Sequence, residues 1–192
     1  EIVSVVLKDK KSREIVIDKD QSPRPETTIE GLAKLPTVYG SPTVTAGNAP
    51  GLSTGAAMVT LMSREEAVKR GLKPLATIIG HAQASGHPDG IASIPAEAAK
   101  KALQKANLTI DQIQLIEVNE AFAVMPLVTT KILGEGNEEK VEALRKITNV
   151  NGGAIAIGHP TGATAARLVM TVCREMQRRG GGYALATICG GI

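Results

Sequence analysis

From Pro74 onward the chain alternates segments of strand-like and helix-like spacing, and that alternation constrains the fold more than any other feature. Residues 75–79 read as a strand and 81–93 as a polar loop. Residues 95–106 read as a helix with proline in its first turn, 113–118 as a strand and 120–133 as a second helix. A loop over 134–137 leads into a charged helical stretch ending near Lys146. Residues 163–179 form an amphipathic helix, with Ala166, Val169, Met170, Cys173 and Met176 on one face. Gly180 to Gly182 end that helix, and 183–188 read as a buried strand. The expectation is an α/β fold with helices layered on a sheet.

The first third is less regular. Residues 1–17 alternate apolar and polar positions around a charged break, as strands do, and 18–25 read as a loop. A short helix is expected over 28–35, stopped by Pro36, followed by an irregular segment over 39–54. Residues 55–62 are a compact apolar run, helix or strand, expected to be buried in either form. Ser63-Arg-Glu-Glu66 fits a capping box opening a helix that Gly71 ends.

Composition narrows the function. With 43% hydrophobic and 21% charged residues the chain is globular, and Tyr39, Phe122 and Tyr183 are its only aromatics. Its core must therefore be built from Ala, Val, Ile and Leu packed around many glycines. A net charge of +3 with no concentrated basic face argues against a nucleic-acid partner, while suiting a small anionic ligand. No apolar stretch reaches transmembrane length, so no membrane partner is expected. Cys173 and Cys189 make no disulfide framework, and a cytoplasmic location is expected. The chain opens on Glu1 rather than Met and stops just behind Cys189-Gly-Gly, which suggests a piece of a longer protein.

Three reactive side chains each follow an apolar run: Asn119 after 114–118, His159 after 151–158 and Cys189 after 183–188. Reactive groups gather outside strand ends in helix-covered sheets, so these ends are candidates to converge on one cleft. An amide, an imidazole and a thiol together suit acid–base chemistry with oxyanion stabilisation. Each has a plainer reading too. His159 is aimed by Gly158 and Pro160, or is an ordinary turn histidine. Cys189 lies beside backbone N–H groups of Gly190-Gly191 that would form half an oxyanion hole, or is an inert buried thiol. Asn119 holds a water or carbonyl, or caps the helix that follows. Glu120 serves that helix's first turn, or does chemistry. Cys173 reads as core filler. His81 and His87, without a third ligand, make a poor metal site, so no metal is expected. Arg24, between two prolines, is a candidate phosphate contact or a solvated surface arginine.

Taken together, Asn119-Glu-Ala-Phe-Ala123, Asn151-Gly-Gly-Ala-Ile-Ala-Ile-Gly-His-Pro160 with Gly162, and Cys189-Gly-Gly resemble the thiolases, the acetyl-CoA acetyltransferase and 3-ketoacyl-CoA thiolase family. Thr43-Val-Thr-Ala-Gly-Asn-Ala49, Pro23-Arg24 and Thr27-Thr-Ile-Glu-Gly-Leu-Ala-Lys34 match as well. Family members are about twice as long, so the resemblance implies the C-terminal half of a thiolase-like fold, a layered αβα arrangement with a mixed sheet. Residues 1–52 then correspond to the end of the CoA-covering loop domain, 53–73 to the closing segment of the N-terminal domain, and 74–192 to the C-terminal domain, short of its final tail.

The resemblance also implies chemistry: reversible condensation of two acetyl-CoA to acetoacetyl-CoA, or thiolysis of longer 3-ketoacyl-CoA, with a non-catalytic acyl-CoA or lipid-binding protein as the alternative. His159 is implied to activate a nucleophilic cysteine that lies in the family's other half, and Asn119 to orient a water in the first oxyanion hole. Cys189 is implied as the acid/base thiol and the Gly191 N–H as a donor of the second hole. Arg24 is implied at the nucleotide end of CoA. Pro50 stands where the family commonly has a serine against the pantetheine, and offers neither hydroxyl nor N–H. Ala165 replaces a frequent glycine, and Leu52-Ser-Thr-Gly55 a more usual Asn-Asp-Gly block. Coenzyme A enters as substrate, with no tightly bound cofactor. The implied partners are the missing N-terminal half and a further copy, as homodimer or homotetramer, with marginal stability for the piece alone.

Overall fold

The computed structural model describes residues 2–190. Its centre is a pair of parallel strands, β3 (Ile113–Val118) and β4 (Tyr183–Thr187), with Leu115 opposite Ala184 and Val118 opposite Thr187. Alternation along the strands sends side chains to two helical layers. Ile116, Val118 and Leu185 join a core with Ala96, Ala99 and Leu103 of α3 (Ile94–Ala106) and Met125 and Leu133 of α4 (Val124–Leu133). Glu117 points the other way, toward Arg167 of α7 (Thr161–Arg178). The αβα layering therefore follows from the strand pattern itself.

Local signals set the ends of these elements. Pro95 sits in the first turn of α3, where its missing N–H costs nothing, and Asn107 closes the helix in a left-handed conformation (φ 55°). Thr187 Oγ1 donates to the Pro95 carbonyl at 3.0 Å, fastening β4 to the start of that helix. Asn137 caps α5 (Glu138–Lys146) by accepting from the Lys140 N–H.

The N-terminal third is looser. β1 (Val5–Lys8) and β2 (Glu14–Ile17) form an antiparallel hairpin whose turn is organised by Asp9, and its apolar side chains are exposed. Thr28 caps α1 (Ile29–Ala33). Ser63 caps α2 (Arg64–Lys69), but Glu66 pairs with Arg70 rather than reaching back to complete a box.

Several expectations are corrected. Residues 75–79 form no strand, and residues 55–62 are irregular and largely exposed, Met58 at 87%. A strand exists only by hydrogen bonding to a neighbour, and these two runs have none among the described residues. The second helix starts at Val124 rather than at 120. On α7 the buried side chains are Ala163, Thr164, Leu168 and Met176, so the face expected from Ala166, Val169, Met170 and Cys173 is rotated and only half-buried. Tyr183, at the start of β4, is exposed.

Candidate active site

Asn119 directly extends β3. Its backbone N–H donates to the Thr187 carbonyl at 3.0 Å, continuing the β3–β4 ladder by one residue, and its side chain is fully buried. It does not cap α4, whose first residue lies five positions later, so the capping reading is set aside.

His159 is positioned differently from the other two. The run before it is not a strand but a single helical turn, α6 (Ala154–Ile157). Gly158 follows at φ 95°, a conformation that strains any residue with a side chain, and a Cβ there would also press on the Ser53 hydroxyl. The His159 N–H donates to the Gly51 carbonyl at 3.3 Å, and α7 begins two residues later. The imidazole is thus fixed between a glycine elbow, the 51–55 loop and a helix start.

The two side chains meet. Asn119 Nδ2 lies 3.3 Å from His159 Nε2, and His159 Nδ1 lies 2.8 Å from Thr164 Oγ1. Thr164 Oγ1 donates its own proton to the Pro160 carbonyl at 3.0 Å, so toward the imidazole it accepts. The ring therefore carries its proton on Nδ1 and presents the Nε2 lone pair, toward which the Asn119 amide donates. Burial, with Arg167 adding to it, holds the His159 pKa below its usual value and favours the neutral ring. Asn119 Oδ1 is buried and has no hydrogen-bond partner among the described residues. The arrangement is a neutral base with a fixed tautomer beside a polarised amide.

Thr164 was not anticipated. Its signal in the sequence was its place on the turn after His159, where a hydroxyl on the buried face of α7 reaches back to the ring. Glu120 lies outside the first turn of α4, so the expected charge–dipole role there is set aside. Its Oε1 accepts from Asn149 Nδ2 at 3.0 Å and its Oε2 from the Ile155 N–H at 2.9 Å.

Cys189 lies just past β4, partly buried against the core, and burial raises its thiol pKa. It follows, two residues on, the Thr187 carbonyl that receives the Asn119 N–H. Cys173, half-buried on α7, has its thiol raised by burial as well. Gly191 lies outside the described residues. Arg24 is exposed at the start of the turn before α1, and Pro50 is partly buried beside Ala49. The Asn48 carbonyl of that same loop accepts the Ala123 N–H at 2.9 Å, linking it to the segment after Asn119. Among the described residues, no three His, Cys, Asp or Glu side chains gather as a metal would require, and no helix is long and apolar enough to cross a membrane.

Residues 72–192 match the family model described as thiolase, C-terminal domain, and residues 1–65 match thiolase, N-terminal domain. The chain belongs to the thiolase family. It is 47% identical to an acetyl-CoA acetyltransferase of Syntrophomonas wolfei, over 98% of this chain and 46% of that protein. It is 45% identical to a beta-ketoadipyl-CoA thiolase of Acinetobacter baylyi, over 100% of this chain and 47% of that one. The crystal structure of the Bacillus anthracis acetyl-CoA acetyltransferase superposes with a TM-score of 0.84 at 37% identity, covering 98% of this chain and 46% of that chain. The thiolase fold of the chain is thereby shown, and it spans about half the length of the curated relatives it matches.

Proposed function

We propose that this chain supplies the C-terminal catalytic half of a thiolase, an acyltransferase that makes and breaks the carbon–carbon bond of a 3-ketoacyl-CoA. The observation that carries the reading is the Asn119–His159–Thr164 relay, which leaves a neutral Nε2 lone pair poised as a base. In condensation His159 Nε2 takes the proton of a cysteine thiol held by an N-terminal half. The thiolate attacks the carbonyl of acetyl-CoA and expels CoA. The departing CoA sulfur takes the proton of Cys189, and the Cys189 thiolate so formed removes a proton from the methyl carbon of a second acetyl-CoA. The resulting carbanion attacks the acyl-cysteine, giving acetoacetyl-CoA and returning the thiolate.

Thiolysis runs the same steps backward, with Cys189 protonating the departing carbanion. Burial keeps the Cys189 thiol protonated, which suits that donor role directly. In condensation the same thiol needs the enolate oxygen stabilised, the part proposed for the Gly191 N–H. The unpaired Asn119 Oδ1 supports its role as acceptor for a water in the first oxyanion hole. Coenzyme A is read as substrate, with Arg24 at its nucleotide end and Pro50 along its pantetheine, where proline packs but cannot donate.

In this reading residues 1–52 close the CoA-covering loop domain, 53–73 complete the N-terminal domain and 74–192 form the C-terminal domain. The assembled protein is a homodimer or homotetramer. Biosynthetic acetyl transfer is the first reading. Degradation of a longer ketoacyl-CoA is the second, favoured by the 45% identity to a protein named for beta-ketoadipyl-CoA.

Neither Cys173 nor Cys189 stands in the position of the nucleophile, and that gives the test. Intact-mass measurement after acetyl-CoA treatment should show an acetyl-cysteine when the chain is joined to a thiolase N-terminal segment, on that segment. The chain by itself should acquire none at turnover rates. Rapid acetylation of Cys173 or Cys189 in the isolated chain contradicts the reading.

A further inference from the structure

We infer that Glu120 is the positioning residue of the Asn119–His159 pair: its carboxylate ties the strand end that carries the amide to the turn that carries the imidazole. The inference rests on the reading of that pair as thiolase machinery, but its geometry stands on its own. Each carboxylate oxygen has one donor, Asn149 Nδ2 at 3.0 Å on Oε1 and the Ile155 N–H at 2.9 Å on Oε2. The carboxyl group also lies flat on Gly153, where a Cβ would come within 2.4 Å of its carbon. Glu120 is therefore gripped on two edges and a face.

Both grips lead to the site. Asn149 behaves as a strand neighbour to Val118, the residue before Asn119: its Oδ1 accepts the Val118 N–H at 2.8 Å and its Nδ2 donates to the Val118 carbonyl at 2.9 Å. The Asn149 backbone N–H donates to the Ile116 carbonyl at 2.9 Å, and its left-handed conformation (φ 49°) lets the side chain turn back onto the strand. On the other side, Ile155 belongs to α6, which ends at the glycine elbow that sets His159. No other side chain spans these two elements through both of its oxygens among the described residues. Reacting groups must be held to a fraction of an ångström, so a brace of this kind controls chemistry without touching substrate.

A carboxylate is required because both contacts are donors. In Glu120→Gln the amide nitrogen faces one of them, so one edge of the grip is lost while size is kept. Gly153→Ala reaches the same end independently, pushing the carboxyl group off its seat with the charge intact. The direct readout is the ¹⁵N signature of the His159 ring in the chain itself. The parent should show protonated Nδ1 and unprotonated Nε2; both variants should move to a mixture of tautomers. Leu103→Ala, a core truncation remote from the site, should lower stability without altering that signature.

When the chain is joined to a thiolase N-terminal segment, Glu120→Gln should reduce kcat for thiolysis roughly 10- to 100-fold with little change in KM. Parent-like ring signals in both Glu120→Gln and Gly153→Ala overturn the inference. If the joined parent shows no thiolysis, the functional reading fails, and the ring signature still decides what Glu120 does.

Discussion

His159 gains its chemistry from one hydroxyl. Thr164 accepts the Nδ1 proton only because it spends its own on the Pro160 carbonyl. Thr164→Val keeps the shape and removes the acceptor, leaving a buried N–H unpaired at about 1–3 kcal/mol. The expected result is a lower melting temperature together with about tenfold slower acyl transfer in the joined enzyme, measured by calorimetry and single-turnover kinetics. Glu117 is a second residue with a measurable signature. It is 0% exposed, its oxygens have no hydrogen-bond partner among the described residues, and Arg167 stands 3.8 Å away. Burial outweighs that ion pair and pushes its pKa from 4.5 to about 7.

The sign follows from which state holds the proton. Between about pH 4.5 and 7 folded Glu117 keeps a proton the unfolded chain has released, so stability falls as pH rises through that window. The loss is on the order of 3 kcal/mol. Glu175 runs the opposite way. Bonds from Asn151, Arg179 and Arg178 hold its pKa at about 2, so its contribution is present above 4.5 and disappears as pH falls toward 2. Denaturant midpoints across pH should show both arms, with Glu117→Gln flattening the one between about pH 4.5 and 7 and Glu175→Gln the more acid one. A fall between about pH 4.5 and 7 that is unchanged in Glu117→Gln contradicts the assignment.

Among the elements, legibility tracked whether the cause was local. β3 was readable to the residue, because its apolar run, its burial on both faces and its flanking turn all lie within the segment. α3 and α5 were readable from Pro95 and from the charged stretch after Asn137 for the same reason. Residues 75–79 and 55–62 look like strands or buried segments too, yet they lack a hydrogen-bonding neighbour and stay irregular. Asn119 and His159 stand out in the sequence as motifs, and the structure puts them in contact. Their supports were not legible: Thr164, Asn149 and Glu120 act across 5, 31 and 35 residues of sequence, and no spacing rule announces such pairings. Gly158 is the element-scale test. Ala at that position adds strain at φ 95° and a clash with Ser53, and should cost about 1–3 kcal/mol. Adding Ser53→Gly should recover the steric share but not the conformational one, as a double-mutant cycle on chemical denaturation would show.

At the scale of the whole molecule, the chain exposes many large apolar side chains, both on the β1–β2 hairpin and within residues 52–79. Val5, Val6, Ile15, Leu52, Met58, Leu61, Ile78 and Ile79 all face solvent, Leu52 at 94%. Isolated, it should self-associate or melt broadly and bind an apolar dye, and joining it to a thiolase N-terminal segment should suppress both. A monomeric mass by light scattering with a sharp melt for the isolated chain would count against that expectation.

If this chain brings a histidine base to an acyl-transfer site, thiolysis must depend on His159. Acetoacetyl-CoA thiolysis should be measured for the chain joined to a thiolase N-terminal segment, beside the same protein carrying His159→Ala. Robust thiolysis is expected in the first and a loss of at least about a hundredfold in the second. Equal activity in the two proteins would contradict that dependence.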